Sequence, residues 1–321
     1  MTEGKHINLR VVIVNWNVGQ QLCECLESID SANLGEFNLN SVVVDNASTD
    51  GSAERLDHIS LPLKVLHNPE NRGFAAACNQ GANGSKSDYL LFLNPDTCLF
   101  EDSLIKPLAF MERPENQQIG IVSIQLFDES GHVARNCARF PTAGMFFSKM
   151  VGLDRLFPAL FPSHFMTEWD HGQTSEVDQV MGAFFMIRRQ LFETLGGFDE
   201  RFFVYFEEVD LSRRAHDKGW KTVYLADAQA FHRGGGTSEQ VKATRLFYSL
   251  RSRIKYGYKH FGWFYATILM AGTLFLEPLS RLVLAISRRS GREAKETIKG
   301  YAMLWRAMPQ LLKNSWNGGR Q

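Results

Sequence analysis

The sequence predicts an α/β protein: a mostly parallel sheet within residues 1–245, followed by a helical extension over residues 246–321. Three observations carry that prediction. Continuous β-branched runs alternate with helix-compatible stretches through the first hundred residues, the pattern of a parallel sheet covered on both faces. Each run ends on a polar residue, at the place where open α/β sheets bind ligands. The C-terminal part changes to uncharged apolar runs framed by Lys and Arg.

Taken in order, residues 9–15 (LRVVIVN) form the first run and stop at Asn15-Trp16-Asn17, after which Leu22, Leu26 and Ile29 recur at helical spacing. Residues 41–45 (SVVVD) repeat the pattern. The strand ends on Asp45, and Ser48-Thr49-Asp50-Gly51-Ser52 supplies turn and N-cap residues for a second helix. A third strand at 63–66 leads through Asn68-Pro69-Glu70-Asn71-Arg72-Gly73 into a helix from Phe74. The fourth, Tyr89–Leu93, ends at Asn94-Pro95-Asp96. Asn15, Asp45, Asn71 and Asp96 therefore point to one crevice beyond the carboxyl ends of the strands.

Farther along, Ile119–Phe127 reads as a strand followed by a polar loop at Asp128-Glu129-Ser130-Gly131. Residues 140–176, rich in Phe, Met and Pro, show no clear period and are expected to form a mobile acceptor loop. VDQVMGAFFMIRR from Val177 reads as one strand, LFETLGGFDERFF as a helix with a Gly-Gly stop, EEVDLSRRAHDKGW as a charged helix, and KTVYLADAQAFH as a strand ending on His232. Residues 261–276 carry no charge, but the run ends at Glu277-Pro278, short of the roughly 20 residues that span a bilayer, so a simple transmembrane helix is not expected. A second apolar stretch at 282–286 is flanked by Arg281, Arg288, Arg289 and Arg292, and Arg251, Arg253, Lys255 and Lys259 precede the first. Basic flanks of this kind favour a segment lying on anionic lipid over a buried helix pair.

Composition narrows the function classes. A chain of 321 residues holds one large core plus an appendage, since single domains commonly reach about 250 residues. The 35 basic and 35 acidic residues cancel, so no global field recruits nucleic acid, and none is expected as a partner. Cys23, Cys25, Cys78, Cys98 and Cys137 are odd in number and lack C-x-x-C spacing, and MTEGKHINLR lacks the apolar stretch of a secretory signal. Both point to a reducing cytoplasm without structural disulfides.

Five places carry chemistry. Asp45, followed by Asn46, offers a carboxylate that accepts a ring N–H of a base, against the alternative of a turn aspartate. Arg72 and Gly73 precede a helix, suited to phosphate pairing and close backbone approach; Asn79 lies further into that helix. Asp96 ends a strand at a stiff Pro turn and suits a hard cation, Mg²⁺ or Mn²⁺, that neutralises a diphosphate. Glu207, Glu208 and Asp210 gather at a helix start, where acids also suit the dipole; the Phe and Tyr residues before them favour a raised carboxyl pKa and a general base. His232 ends a strand and can complete a metal's ligands, with Arg233-Gly234-Gly235-Gly236-Thr237 closing over a phosphate or sugar.

In order, VVIVNWN, VVVDNASTDGS, NRGFAAACNQG, FLNPDT, GAFFMIRR, GGFDERFFVYFEEVDLSRRAHDKGW and FHRGGGTS resemble the inverting family-2 glycosyltransferases of GT-A fold, and most of all their rhamnosyltransferase-like subgroup. The resemblance covers residues 9–240. It implies that Asp45 recognises uracil or thymine with Asn15, Asn17 and Arg72 nearby, and that Asn94-Pro95-Asp96 stands for the family's D-x-D element. Asp96 and His232 would then be the protein ligands of the metal. The family's base maps onto Glu208, where Asp is common in the family; Asp210 and Glu207 are the other candidates. ARFPT at 138–142 resembles a segment of rhamnosyltransferase-like members and favours dTDP-L-rhamnose as donor. The apolar, basic-flanked C-terminus adds a lipid-linked or other saccharide acceptor in cell-wall or O-antigen synthesis at the inner face of the cell membrane.

Two other classes compete with a UDP- or dTDP-sugar transferase. A nucleotidyltransferase would carry a glycine-rich, lysine-bearing loop after the first strand, which VNWNVGQQ does not provide. A silent sugar-nucleotide-binding protein of the same fold would show losses at Asp96, Glu208 or His232, and all three are present.

Overall fold

The computed structural model describes residues 7–234 and 242–317, the side chains of 314–317 excepted. Residues 1–6 of the N-terminus and Gly235, Gly236 and Thr237 of the predicted glycine-rich loop lie outside the described residues. The chain divides into two compact units, one of residues 1–139, 165–200 and 207–236, the other of residues 140–164, 201–206 and 237–321.

In chain order the strands are β1 (Asn8–Asn15), β2 (Asn38–Asp45), β3 (Leu63–His67), β4 (Tyr89–Leu93), β5 (Thr97–Leu99), β6 (Ile119–Phe127), β7 (Cys137–Ala138), β8 (Ser175–Val177), β9 (Gln179–Val180), β10 (Phe184–Arg188) and β11 (Lys221–His232). The helices are α1 (Gln21–Asp30), α2 (Phe74–Ala82), α3 (Ile105–Glu112), α4 (Ala143–Met150), α5 (Leu153–Leu156), α6 (Arg189–Thr194), α7 (Glu207–His216), α8 (Lys242–His260), α9 (Gly262–Ala271), α10 (Glu277–Ser287) and α11 (Gly291–Asn317).

In the first unit the strands run β3-β2-β1-β4-β10-β6-β11-β5, with β8 also on β11; β7 and β9 pair separately. β3, β2, β1 and β4 are parallel, as are β6 and β11, while β10 runs against both β4 and β6. The carboxyl ends of β1, β2, β4, β6 and β11 thus share one edge. β1 shows why the strands read as continuous apolar runs. Leu9, Val11 and Ile13 pack with Leu22, Cys25, Leu26 and Ile29 of α1 on one face, and Val12 and Val14 with Ala75, Ala77 and Cys78 of α2 on the other. Burial of each such Val, Leu or Ile side chain contributes about 1.5–3 kcal/mol. At Gly81 a Cβ would come within 2.4 Å of Val12 Cγ1, so α2 lies directly on the sheet.

Three expectations need correction in this unit. No helix follows β2: residues 53–62 are turns, because Asp50 Oδ2 accepts from Gly19 N–H at 2.8 Å and Ser52 Oγ from Asn15 Nδ2 at 2.8 Å, drawing the segment back to β1. The stretch 177–189 is not one strand but the end of β8, then β9 and β10, separated at Asp178 and at residues 181–183. Helix α6 is shorter than its expected stretch, stopping at Thr194 before Gly196 and Gly197, both at φ 74°.

The second unit corrects two more. Residues 140–176 are not wholly a loop, since they contain α4 and α5; Thr142 Oγ1 accepts from Met145 N–H at 3.2 Å and caps α4. Nor does the helix end with the apolar run at Glu277-Pro278. The helix continues from Gly262 to Ser287 through a π-helical turn at Gly272–Leu276, where Glu277 N–H donates to Gly272 O five residues back. The widened turn accommodates Pro278, whose nitrogen has no proton to donate. By length and composition this 26-residue helix is apolar enough to cross a membrane. Leu250, Ile254, Leu274, Tyr301, Leu304, Met308 and Leu311 form the core of α8, the π-helical turn and α11.

Candidate active site

At the carboxyl edge of the sheet the loops after β1 and β2 are tied together. Asn15, fully buried, lies in register with Asp45, and its Nδ2 donates to Asp45 Oδ1 at 2.9 Å, Ser52 Oγ at 2.8 Å and Ser48 Oγ at 3.1 Å. Asp45 Oδ2 accepts from Ser48 N–H at 3.3 Å and stands 3.6 Å from His67 Nδ1. Asn17 adopts a φ of 52°, and its Oδ1 accepts from Thr49 N–H at 2.7 Å. These bonds hold the Asp45 carboxylate in one orientation at a strand end. Asn15 Oδ1 is buried without a hydrogen-bond partner among the described residues, an acceptor left over beside Asp45.

Asn46 organises the next loop. Its Oδ1 accepts from Arg72 N–H at 3.0 Å and Asn68 Nδ2 at 3.1 Å, while its Nδ2 donates to Asn71 Oδ1 at 3.0 Å and Gly73 O at 3.2 Å. With both ends of its amide engaged, Asn46 shapes the loop. Arg72 is left exposed at the tip, and Gly73, at φ 87°, opens α2 in a conformation that glycine adopts without strain. Asn79 lies further along α2 and clips the Gly-Gly turn, its Oδ1 accepting from Phe198 N–H at 2.9 Å. An open cavity of about 460 Å³ runs here between Arg72, Asn79, Phe192 and Glu200; it shares Arg72 with the site but reaches neither Asp45, Asp96 nor His232.

Asp96 and His232 are brought together by the short strand β5. Residues 94–97 form a tight turn closed by Thr97 N–H to Asn94 O at 3.1 Å, with Pro95 at its second position. Asn94 anchors the turn through its own N–H, which donates to Ala183 O at 3.0 Å. β5 then pairs antiparallel with the end of β11, Thr97 opposite His232, and Arg233 N–H donates to Asp96 O at 3.0 Å. Asp96 Oδ1 and His232 Nε2 consequently face each other at 3.2 Å, yet Nε2 makes no hydrogen bond among the described residues. Two adjacent ligands of an octahedral cation with bonds of about 2.1 Å stand roughly 3 Å apart, so the pair fits a divalent ion. Among the described residues no cluster of three or more His, Cys, Asp or Glu could hold a metal.

The acidic helix start separates three carboxylates. Tyr205 and Phe206 precede it at φ 67° and 71°, two consecutive side chains in a region non-glycine residues rarely enter, costing about 1–3 kcal/mol each. Glu207 is 4% exposed, and burial, then the charge of Glu208, pushes its carboxyl well above the usual range. Burial pushes Glu208 up to about 6. The neighbouring carboxylates titrate as a pair, and each keeps a buried Oε2 without a hydrogen-bond partner among the described residues. Asp210 is different. It is fully buried, its Oδ2 accepts from Arg214 Nε at 2.8 Å, and Arg214 in turn donates to Leu195 O at 2.7 Å and Gly197 O at 2.9 Å. Its carboxylate holds the Gly-Gly turn.

Nothing in the sequence announced His67 opposite Asp45, or Ser48 and Ser52 as the acceptors that orient Asn15. The two serines carried a signal only as turn formers.

The sequence model of glycosyl transferase family 2 matches residues 10–196. Among curated relatives, the N-acetylglucosaminyl-diphospho-decaprenol L-rhamnosyltransferase of Mycobacterium tuberculosis is 27% identical over 312 residues, covering 91% of this chain and 98% of its own. The rhamnosyltransferase WbbL of Escherichia coli is 26% identical over 172 residues, 53% of this chain and 61% of that protein. Among solved structures, the mannosyltransferase PcManGT of Pyrobaculum calidifontis, in complex with GDP-Man and Mn²⁺, gives a TM-score of 0.53 at 18% identity, covering 96% of this chain and 88% of that one. GalNAc-T7 with UDP, GalNAc and Mn²⁺ gives 0.53 at 14% identity, covering 90% and 59%. At such identities the likeness establishes the fold, which is GT-A.

Proposed function

The chain belongs to glycosyl transferase family 2, and from that premise we propose that it transfers L-rhamnose from dTDP-L-rhamnose, with inversion, to a lipid-linked saccharide. The step belongs to cell-wall or O-antigen polysaccharide synthesis at the cytoplasmic face of the membrane. The observation that carries the reading is the pair Asp96 Oδ1 and His232 Nε2, 3.2 Å apart at the sheet edge that also presents Asp45. The near full-length relative in Mycobacterium tuberculosis supports the choice of sugar and of a diphospho-polyprenol acceptor.

In this reading Asp45 accepts the ring N–H of the base, held in place by Asn15, while Asn17 and Arg72 line the nucleotide. Asp96 and His232 hold Mg²⁺ or Mn²⁺, with Asn94 setting the turn. When bound, the divalent ion neutralises charge on the diphosphate. Glu208, ionised near pH 7 but more basic than an exposed carboxylate, takes the proton of the acceptor hydroxyl. That oxygen bonds to the anomeric carbon opposite the C1–O bond, which breaks with its electron pair leaving on the nucleotide diphosphate, and the configuration inverts. A UDP-sugar is the alternative donor, because uracil presents the same ring N–H to Asp45.

The helix through α9 and α10 supports the membrane side of the reading. Phe264, Ile268, Phe275, Leu279, Val283 and Ile286 are exposed along one face, and Trp305 of α11 extends it by contact with Phe275, ring centroids 5.4 Å apart. Buried Glu277 belongs to the other face, so the helix suits lying in the interface with its apolar side in lipid.

Calorimetric titration of dTDP-, UDP- and GDP-sugars with Mn²⁺ or Mg²⁺ tests the assignment. Metal-dependent binding of the dTDP-sugar, lost in Asp96→Ala, is expected; binding of a UDP-sugar alone would replace the donor, and binding of none by folded protein would favour a silent scaffold.

A further inference from the structure

The second unit holds a group of charges that the reaction described above does not use. Arg253 of α8 is 6% exposed; its Nη2 donates to Thr273 Oγ1 at 2.9 Å and pairs with Glu277, and its guanidinium lies 5.6 Å over the Phe146 ring. Arg281, 40% exposed, pairs with the other oxygen of Glu277 at 2.9 Å. One buried carboxylate is therefore already matched by two guanidinium groups. Lys149 of α4 brings a third cation within electrostatic reach of both arginines, with Asp154 as the further carboxylate. Helix α4 is seated on the π-helical turn: a Cβ on Gly272 would meet Phe147 at 2.9 Å and Met150 at 3.1 Å.

Several features mark this group as more than a staple between helices. Among the described residues the cations named here outnumber the carboxylates, Lys149, Arg253 and Arg281 against Glu277 and Asp154. Arg253 Nε is buried with no hydrogen-bond acceptor among the described residues, an orphan donor that costs stability unless something meets it. The surroundings also repel positive charge. Burial, followed by Lys149 and Arg253, pushes His164 down to about 3, and burial followed by Arg253 lowers Lys149. The π-helical turn that presents Thr273 and precedes Glu277 is a rare irregularity, frequent at functional sites. The same helix carries the exposed apolar face, so one element borders the cationic group and offers a surface for a hydrocarbon chain.

We propose that Lys149, Arg253 and Arg281 form a seat for the diphosphate of the lipid-linked acceptor, with its prenyl chain following the apolar face of α9 and α10. The inference rests on the lipid-linked acceptor of the proposed function. Arg and Lys donors match phosphate oxygens, and a dianionic group removes the excess of positive charge.

The test uses the full chain with its metal removed by EDTA, so that donor chemistry is silent, and farnesyl diphosphate as probe. Wild type is expected to bind it, and Lys149→Gln/Arg281→Gln to bind it about tenfold or more weakly, as loss of charge-assisted hydrogen bonds requires. Both substituted residues are partly exposed, and unchanged thermal melting would show that the fold persists. Equal binding by variant and wild type would overturn the proposal. So would equal affinity for inorganic phosphate, which marks a plain anion site, or a loss confined to phosphatidylglycerol vesicles, which marks a headgroup surface. A wild type that binds farnesyl diphosphate but glycosylates no prenyl-diphospho-saccharide would sink the acceptor reading and leave the seat standing.

Discussion

Replacing Glu208 by Gln is expected to move activity and stability in opposite directions. Burial raises its carboxyl from 4.5 to about 6, and that difference of about 1.5 corresponds to about 2 kcal/mol at 1.36 kcal/mol per pH unit. The folded state holds the proton more tightly than the unfolded chain does. The penalty is therefore absent below pH 4.5, where both states are protonated, grows as pH rises towards about 6, and is complete above it. An amide does not titrate. Glu208→Gln should be more stable than wild type by about 2 kcal/mol near pH 8 and no different near pH 4, read from urea midpoints at constant ionic strength. The same variant should lose about 10²- to 10⁴-fold in kcat, the usual contribution of a general base, while wild-type kcat rises through about pH 6 and levels off. A variant that keeps wild-type kcat, or a stability difference independent of pH, would refute the assignment.

Other substitutions separate binding, metal and scaffold. Asp45→Ala removes a charge-assisted hydrogen bond worth about 1.5–3 kcal/mol, so affinity for dTDP without metal should fall roughly ten- to hundredfold by calorimetry. His232→Gln should weaken Mn²⁺-dependent donor binding by about tenfold or more while leaving metal-free dTDP binding in place. Asp210→Asn removes the charge of a fully buried carboxylate paired with Arg214 and should cost about 3–5 kcal/mol by denaturant unfolding, without moving the pH midpoint of kcat.

Much of the site was legible because a doubly covered parallel sheet writes itself plainly. β1, β2 and β4 are apolar on both faces, so the polar residue that ends each run, Asn15, Asp45 or Asn94, marks the ligand edge. What brings His232 to Asp96 was not legible. β5 is three residues long, too short for any period, and its antiparallel return makes partners of positions far apart in the chain. The resemblance put the base at Glu208 and left Asp210 as a candidate; the position of Arg214 one turn later, with carbonyls of 195 and 197 to hold, distinguishes them. The helix expected after β2 failed for a similar reason, because Asp50 and Ser52 also bond across to Gly19 and Asn15 at the end of β1. At Glu277-Pro278 the stop signal was real, but a π-helical turn absorbed it and Arg253 and Arg281 neutralised the acid.

The most direct measurement supplies the full chain with dTDP-L-rhamnose, Mn²⁺ and an N-acetylglucosaminyl-diphospho-prenol, and determines the anomeric configuration of the product by NMR. Metal-dependent formation of a rhamnoside whose configuration is opposite to that of the donor is expected, and its loss in Glu208→Gln together with retained donor binding. A product of retained configuration, or no transfer by protein that binds the donor, would contradict it.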